Sequence, residues 1–180
     1  MSFVPRRTEV PDFMALTLAE AKEHLELDHD DDDAYVTALI AVATDHLDGV
    51  DGILSMDLLG GSWEWYYKAT GETCVKLPNT PVREIDGATI GSVAHGTATL
   101  EQRMDGDYVV FSEPQHGTIT FAYAAGYEDA ASIPAALKHA MKLHIGSMYE
   151  HRETEVVGTI ATRLPQYESL ISPYRRRRVG

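Results

Sequence analysis

The sequence predicts an α+β chain: two helices, then an antiparallel sheet, then a third helix. Three observations carry this reading. Apolar side chains recur at helical spacing from Leu18 to Leu47. The period drops to two at Trp63, Trp65 and Tyr67, as in a half-buried strand. The helical period returns from Ile133.

Each element has a local reason. Residues 1–16 lack periodicity and contain Pro5 and Pro11, so they read as an extended arm. Thr17-Leu18-Ala19-Glu20 forms a capping box, in which the hydroxyl accepts from the Glu20 amide and the carboxylate reaches back. Leu18, Ala21 and Leu25 share a face of the helix that follows, which should end near Asp28. Asp30, Asp31, Asp32 and Asp33 cap the second helix and place negative charge at its N-terminus, where the helix dipole favours it. Val36, Leu39, Ile40, Ala43 and Leu47 form its apolar stripe, and Gly49 and Gly52 stop it. The short link makes the pair an antiparallel hairpin.

A strand around Trp63–Tyr67, a turn at Gly71 and a strand through Val75 and Leu77 come next, closed by Pro78 and Pro81. Residues 82–104 read as one or two weaker strands. Tyr108–Phe111 and Thr118–Tyr123 read as two more, joined through Pro114 and Gly117. Pro134 is tolerated in the first turn of the third helix. That helix carries Leu137, Ala140, Met141, His144 and Met148 on one face, with Ala136, Leu143 and Ser147 beside it. An apolar arc this wide packs on two sides. Residues 154–180 lack helical period and read as an extended tail ending in Arg175–Arg178.

Composition narrows the function. Of the 180 residues, 44% are hydrophobic, enough for a core. Cys74 is the sole cysteine, which excludes a disulfide framework and a cysteine-based zinc site. No apolar run reaches membrane-spanning length, and Met1–Arg7 lacks a signal-peptide core. The expectation is a soluble protein, not a membrane one, assembled in the cytoplasm. The net charge is −13. Residues 17–57 hold twelve acidic residues against Lys22, and residues 163–180 hold five arginines against Glu168. Such a chain is a poor generic DNA binder, but its acidic face would let a polyanion slide past.

No catalytic, cofactor or metal motif stands out. Asp28, Asp30 and Asp32 fit calcium-loop positions, but Asp33 occupies the place of the required turn glycine and Leu39 that of the bidentate Glu. His139, His144 and His151 are spaced by five and seven, whereas zinc on a helix wants four. Neither GxGxxG nor GxxxxGK[ST] occurs. The segment Leu164–Tyr174 carries apolar anchors of the kind that order on a partner surface.

The order of several phrases resembles the head–tail connector (adaptor) family of long-tailed phages and gene transfer agents. The matching phrases are Leu16–Leu25 with the acidic link, Ala38-Leu39-Ile40-Ala41, Leu77-Pro78 with Pro81-Val82, Tyr123–Tyr127, the Ile133-Pro134 helix ending at Tyr149–Glu153, and Leu170–Arg175. His151 stands where the family often has Asn. The resemblance implies a helical core, made of the N-terminal hairpin and a long C-terminal helix, with the antiparallel sheet inserted between them and an extended C-terminal tail. It organises the chain as an arm (1–16), a connector domain (17–153, with helices in 17–50, β insertion 60–125 and helix 133–152) and a tail (154–180).

It further implies a virion structural protein of the neck, without enzymatic activity or cofactor, assembled in the host cytoplasm. Such proteins form homo-oligomeric rings, usually dodecamers, that join the portal to the next tail or stopper protein. DNA passes through without sequence-specific binding. Leu164, Tyr167, Leu170, Ile171, Tyr174, Arg175 and Arg176 are the candidate portal-docking residues, and Asp30–Asp33 the candidate channel-facing acids. The alternatives are a tail-completion or tail-tube-type protein, and a small hydrolase built on His144, Glu150 and His151.

Overall fold

The computed structural model describes residues 4–9, 12–49, 51–90, 93–94, 98–151 and 165–175. It forms two compact units, one from Met1–Asp12 and Met56–Glu128, the other from Phe13–Ser55 and Asp129–Gly180.

The first unit is a sheet. Its strands are β1 (Arg6–Arg7), β2 (Gly61–Lys76), β3 (Val82–Ile90), β4 (Val93–Ala94), β5 (Thr99–Arg103) and β6 (Gly106–Ala125). The order is β1-β2-β6-β3-β4, with β5 also on β6, and every pair is antiparallel. β6 is the spine. Along one edge it pairs with β2 from Ala125↔Gly61 to Tyr108↔Lys76. Its other edge is shared: β3 takes Ile119–Ala125 and β5 takes Gly106–Val110.

The two long strands bend at the same level. The ladder runs Thr70↔His116, Glu72↔Gln115, Cys74↔Val110, with slips between these pairs. Across the second slip two steps on β2 face five on β6, and Pro114, which has no N–H to give a ladder, sits in the surplus. Gly71 and Gly117 take φ +126° and +97°, conformations costly for any other residue. Glu72 holds this bend. It accepts from the Thr70 amide at 2.6 Å and the Thr70 hydroxyl at 2.9 Å, and these bonds, led by the amide, draw its carboxyl down to about 2.

One face of the sheet makes a core of Trp65, Ala69, Val75, Val109, Phe111, Ile119, Phe121 and Tyr123. Trp65 stacks on Phe121 at 5.6 Å. Burying a ring such as Phe121 contributes about 2–3 kcal/mol. Two polar contacts fasten the 77–81 loop to this core. The buried Asp107 carboxylate accepts from the Thr80 hydroxyl at 2.6 Å and the Val82 amide at 2.8 Å. Tyr123 donates its hydroxyl to Asn79 Oδ1. After β6 the chain turns at Gly126, where φ is +89° and a Cβ would fall 2.4 Å from the Leu59 carbonyl oxygen, so only glycine fits.

The second unit holds α1 (Leu18–His24), α2 (Asp33–Leu47), α3 (Ala135–Glu150) and α4 (Pro165–Ile171). The Thr17/Glu20 capping box is formed in both directions. Val36, Leu39, Ile40, Ala43 and Leu47 are the buried stripe of α2, joined by Thr44, whose hydroxyl bonds back to the Ile40 carbonyl. α3 buries Leu137, Ala140, Met141 and Ile145. No helix among the described residues is long and apolar enough to cross a membrane.

The predicted architecture needs correction. The expected helical core with a long C-terminal helix, an inserted sheet and an extended tail is not what forms. The chain is a mixed α/β protein in which, among the described residues, more lie in strands than in helices. The sheet is no appendage of a helical core, because two strands of 16 and 20 residues bury a face of their own. The helices are short, and α3, at 16 residues, barely exceeds the 15 of α2. Residues 165–171 are helical, since Tyr167 and Ile171 lie one turn apart and both find a buried place. Finally, β2 and β6 were each expected as two strands and are each continuous.

Replacing Asp107 with Ala leaves two buried donors unpaired and should cost about 2–4 kcal/mol in urea unfolding; a loss below about 0.5 kcal/mol would contradict this reading. Glu72 has a folded value below its ordinary 4.5, so its contribution is complete above that value and fades as pH falls towards about 2. Acid titrations should show Glu72→Gln losing less stability than the parent across that window.

Candidate partner-binding site

Two surfaces carry the residues that the sequence singles out. On the first, Pro165 sits in the opening turn of α4, where its missing N–H costs nothing. Ile171 is fully buried and Tyr167 is 8% exposed, and α4 packs on α3. The Tyr167 ring lies 5.6 Å from the His144 imidazole and 6.4 Å from that of His46; the two imidazoles are 5.0 Å apart. The Tyr167 hydroxyl and His144 Nδ1 are both buried without a hydrogen-bond partner among the described residues. Burial pushes the Tyr167 hydroxyl up to about 12, with the Glu168 charge adding and Arg175 opposing. Burial, and secondarily His46, pushes His144 down.

The remaining predicted docking residues are placed differently. Leu170 and Tyr174 are half-buried, and Arg175 is exposed with its guanidinium 3.7 Å from the Glu168 carboxylate. Leu164 and Arg176 lie outside the described residues. Tyr167 and Ile171 are therefore engaged by the chain's own helices. The outward surface is Pro165, Gln166 and Ser169, continuing into Ser172, Pro173 and Arg175.

The second surface is the acidic link. Lys22 Nζ reaches Asp30 at 2.6 Å and Asp33 at 2.7 Å. The hydrogen bonds raise the lysine, Asp30 first, and lower Asp30 in return. Asp32 accepts from the Tyr149 hydroxyl. Asp31, its side chain 96% exposed, projects outward with His29 Nδ1 at 3.8 Å. The run is thus largely tied into α1 and α3, and Asp31 is its outward charge.

His139 and His144 of α3 and His151 just past its end face separate surroundings. His139 meets His24 at 6.1 Å, His144 meets His46, and Nδ1 of His151 lies 3.0 Å from the Ser147 carbonyl oxygen. Among the described residues no group of three or more His, Cys, Asp or Glu side chains could hold a metal ion. Sequence reading overlooked His46. It stands in the last turn of α2 with no motif around it, and only the pairing of α2 with α3 brings it to His144.

Residues 15–83 match the family model described as phage gp6-like head-tail connector protein. Over these residues the chain is similar to that family. The match runs from the residues before α1, through the acidic link, α2 and β2, to the first residues of β3. The chain's fold also recurs in solved structures. A chain from "Neck of empty GTA particle computed with C6 symmetry" aligns with TM-score 0.78 and 19% identity, over 99% of this chain and 98% of the other. Chains from "Virion of native gene transfer agent (GTA) particle" and "Neck of native GTA particle computed with C12 symmetry" each align with TM-score 0.71 and 18% identity over the same shares. At such identities the likeness is one of fold. No curated protein matches this sequence.

Lys22→Met should leave Asp30 and Asp33 repelling each other and lower the melting temperature at low salt. The deficit should shrink as salt approaches about 1 M, where screening acts within a few ångströms. An equal deficit at both salt levels would mean that Lys22 works by packing alone.

Proposed function

We propose that this protein is a structural part of a virion neck. It acts as one of twelve identical copies in a ring that joins the portal to the next tail component, and that ring continues the DNA channel. One observation carries the reading: a connector-family match across α1, α2 and β2 coincides with an end-to-end fold match to a chain of a gene transfer agent neck. The matched necks were computed with C6 and C12 symmetry, which supports a rotational assembly and a count of twelve. Copies joined head to tail close into a ring when the rotation per copy divides the circle.

The charge supports passage of DNA rather than grip. A net −13, with twelve acidic residues against one lysine in residues 17–57, disfavours a grip on DNA phosphates. Asp31 is the acid best placed to face a channel, since its neighbours Asp30, Asp32 and Asp33 are engaged within the subunit. For the portal, the outward residues of α4 and the half-buried Leu170 and Tyr174, together with Arg175, form the docking surface. Arg176 and Leu164 extend this proposal along the chain. The function is mechanical. Its family and structural neighbours are neck and connector proteins rather than enzymes. Assembly takes place in the host cytoplasm.

Electron microscopy of the purified chain, alone and mixed with its cognate portal, should give closed rings with rotational symmetry, and native mass should correspond to about twelve copies. A strictly monomeric species in both samples would overturn the proposal.

A further inference from the structure

We propose that His46, His144 and Tyr167 form a proton-operated latch that holds α4 on α3. The geometry comes first. α4 is seven residues long, too short to persist as a helix by itself, so its order depends on what it packs against. Its two buried anchors are Tyr167 and Ile171. Ile171 is indifferent to pH. The Tyr167 ring, however, rests beside two imidazoles that are themselves 5.0 Å apart.

A neutral imidazole fits this place. It carries one N–H, so His144 Nδ1, buried without a partner among the described residues, can be the bare nitrogen. Protonation changes that. Both nitrogens must then donate, and Nδ1–H has no acceptor. The added charge is half-buried, and His46, exposed on α2 with its ring 5.0 Å away, repels it when itself charged. The charged groups around the cluster offer no relief. On α4, Glu168 lies 3.7 Å from Arg175, so its carboxylate is already matched. From α1, His24 meets His139 rather than His144. The face of Tyr167 would attract a cation, but its ring is tilted 59° to His144 instead of lying flat against it.

The sign follows. The docked state prefers neutral His144, in keeping with the downward push of burial on this imidazole. Docking is complete above the ordinary histidine value and weakens as pH falls below it. Residues 165–171 should then leave α3 in acid while α2 and α3 stay folded. This inference does not depend on the connector reading.

Hydrogen exchange on the full chain tests it, with rates normalised to the intrinsic exchange at each pH. Between pH of about 7.5 and about 5, protection of the α4 amides should fall several-fold. Protection in α2 and α3 should hold. His144→Phe keeps a ring in place and should make α4 protection independent of pH. His46→Gln, at an exposed position, removes the second charge without touching the core and should move the midpoint of release to lower pH. The latch is overturned by unchanged α4 protection in the parent chain. It is equally overturned by a parent-like drop in His144→Phe, or by a midpoint that His46→Gln leaves in place.

Discussion

The pairing of β6 with β2 is the constraint on which the sheet unit depends. Twenty residues of β6 supply hydrogen bonds to β2 along one edge and to β3 and β5 along the other. Its inward side chains, Val109, Phe111, Ile119, Phe121 and Tyr123, are also the centre of the core. Backbone pairing and side-chain burial thus sit on the same residues. A one-residue slip would turn these five outward, so the register is over-determined. Asp107 adds to this. It fixes the 77–81 loop from β6 itself, and the loop is what brings β3 back alongside.

Much of this was legible in the chain, and the misreadings have a common cause. The capping box is a purely local device, and Thr17 and Glu20 form it as their spacing says. The stripe of α2 was legible because one face of a helix meets one core. The long strands were not, because glycine and proline were taken as punctuation. Gly71, Pro114 and Gly117 mark turns when strands are of ordinary length. Here they serve a bend shared by two paired strands, with the positive φ of the glycines and the missing N–H of proline absorbed by the slipped ladder. Nothing local separates a turn from a bulge, since both need the same residues; the difference lies in whether a partner strand continues alongside.

The C-terminal segment misled for a related reason. Tyr167 and Ile171 are spaced by four, which a helix requires, but seven residues are too few for periodicity to be read. Apolar residues in such a stretch read equally well as anchors for a foreign surface. The fold uses them on its own α3, leaving a polar outward face. The aspartate run misled in the opposite direction. Its charge suggested a solvated patch, yet one lysine a turn into α1 and one tyrosine on α3 engage three of the four carboxylates, Asp30 while it stays exposed.

These placements change how charge bears on function. A formal total counts every carboxylate alike, whereas a passing polyanion feels mainly those whose field is not cancelled nearby. Lys22 offsets one of the two charges of Asp30 and Asp33, and salt screens the remainder beyond about 10 Å at moderate ionic strength. Asp31 keeps its field, with only an exposed imidazole beside it. If this link faces a channel, its effect on DNA comes from the charge that Lys22 leaves uncancelled, with Asp31 the most exposed of the acids, repeated by symmetry. Such a ring is a weak, evenly spaced repulsion. It would keep the duplex centred without a deep electrostatic barrier to transit, which suits a conduit better than a dense acidic collar would.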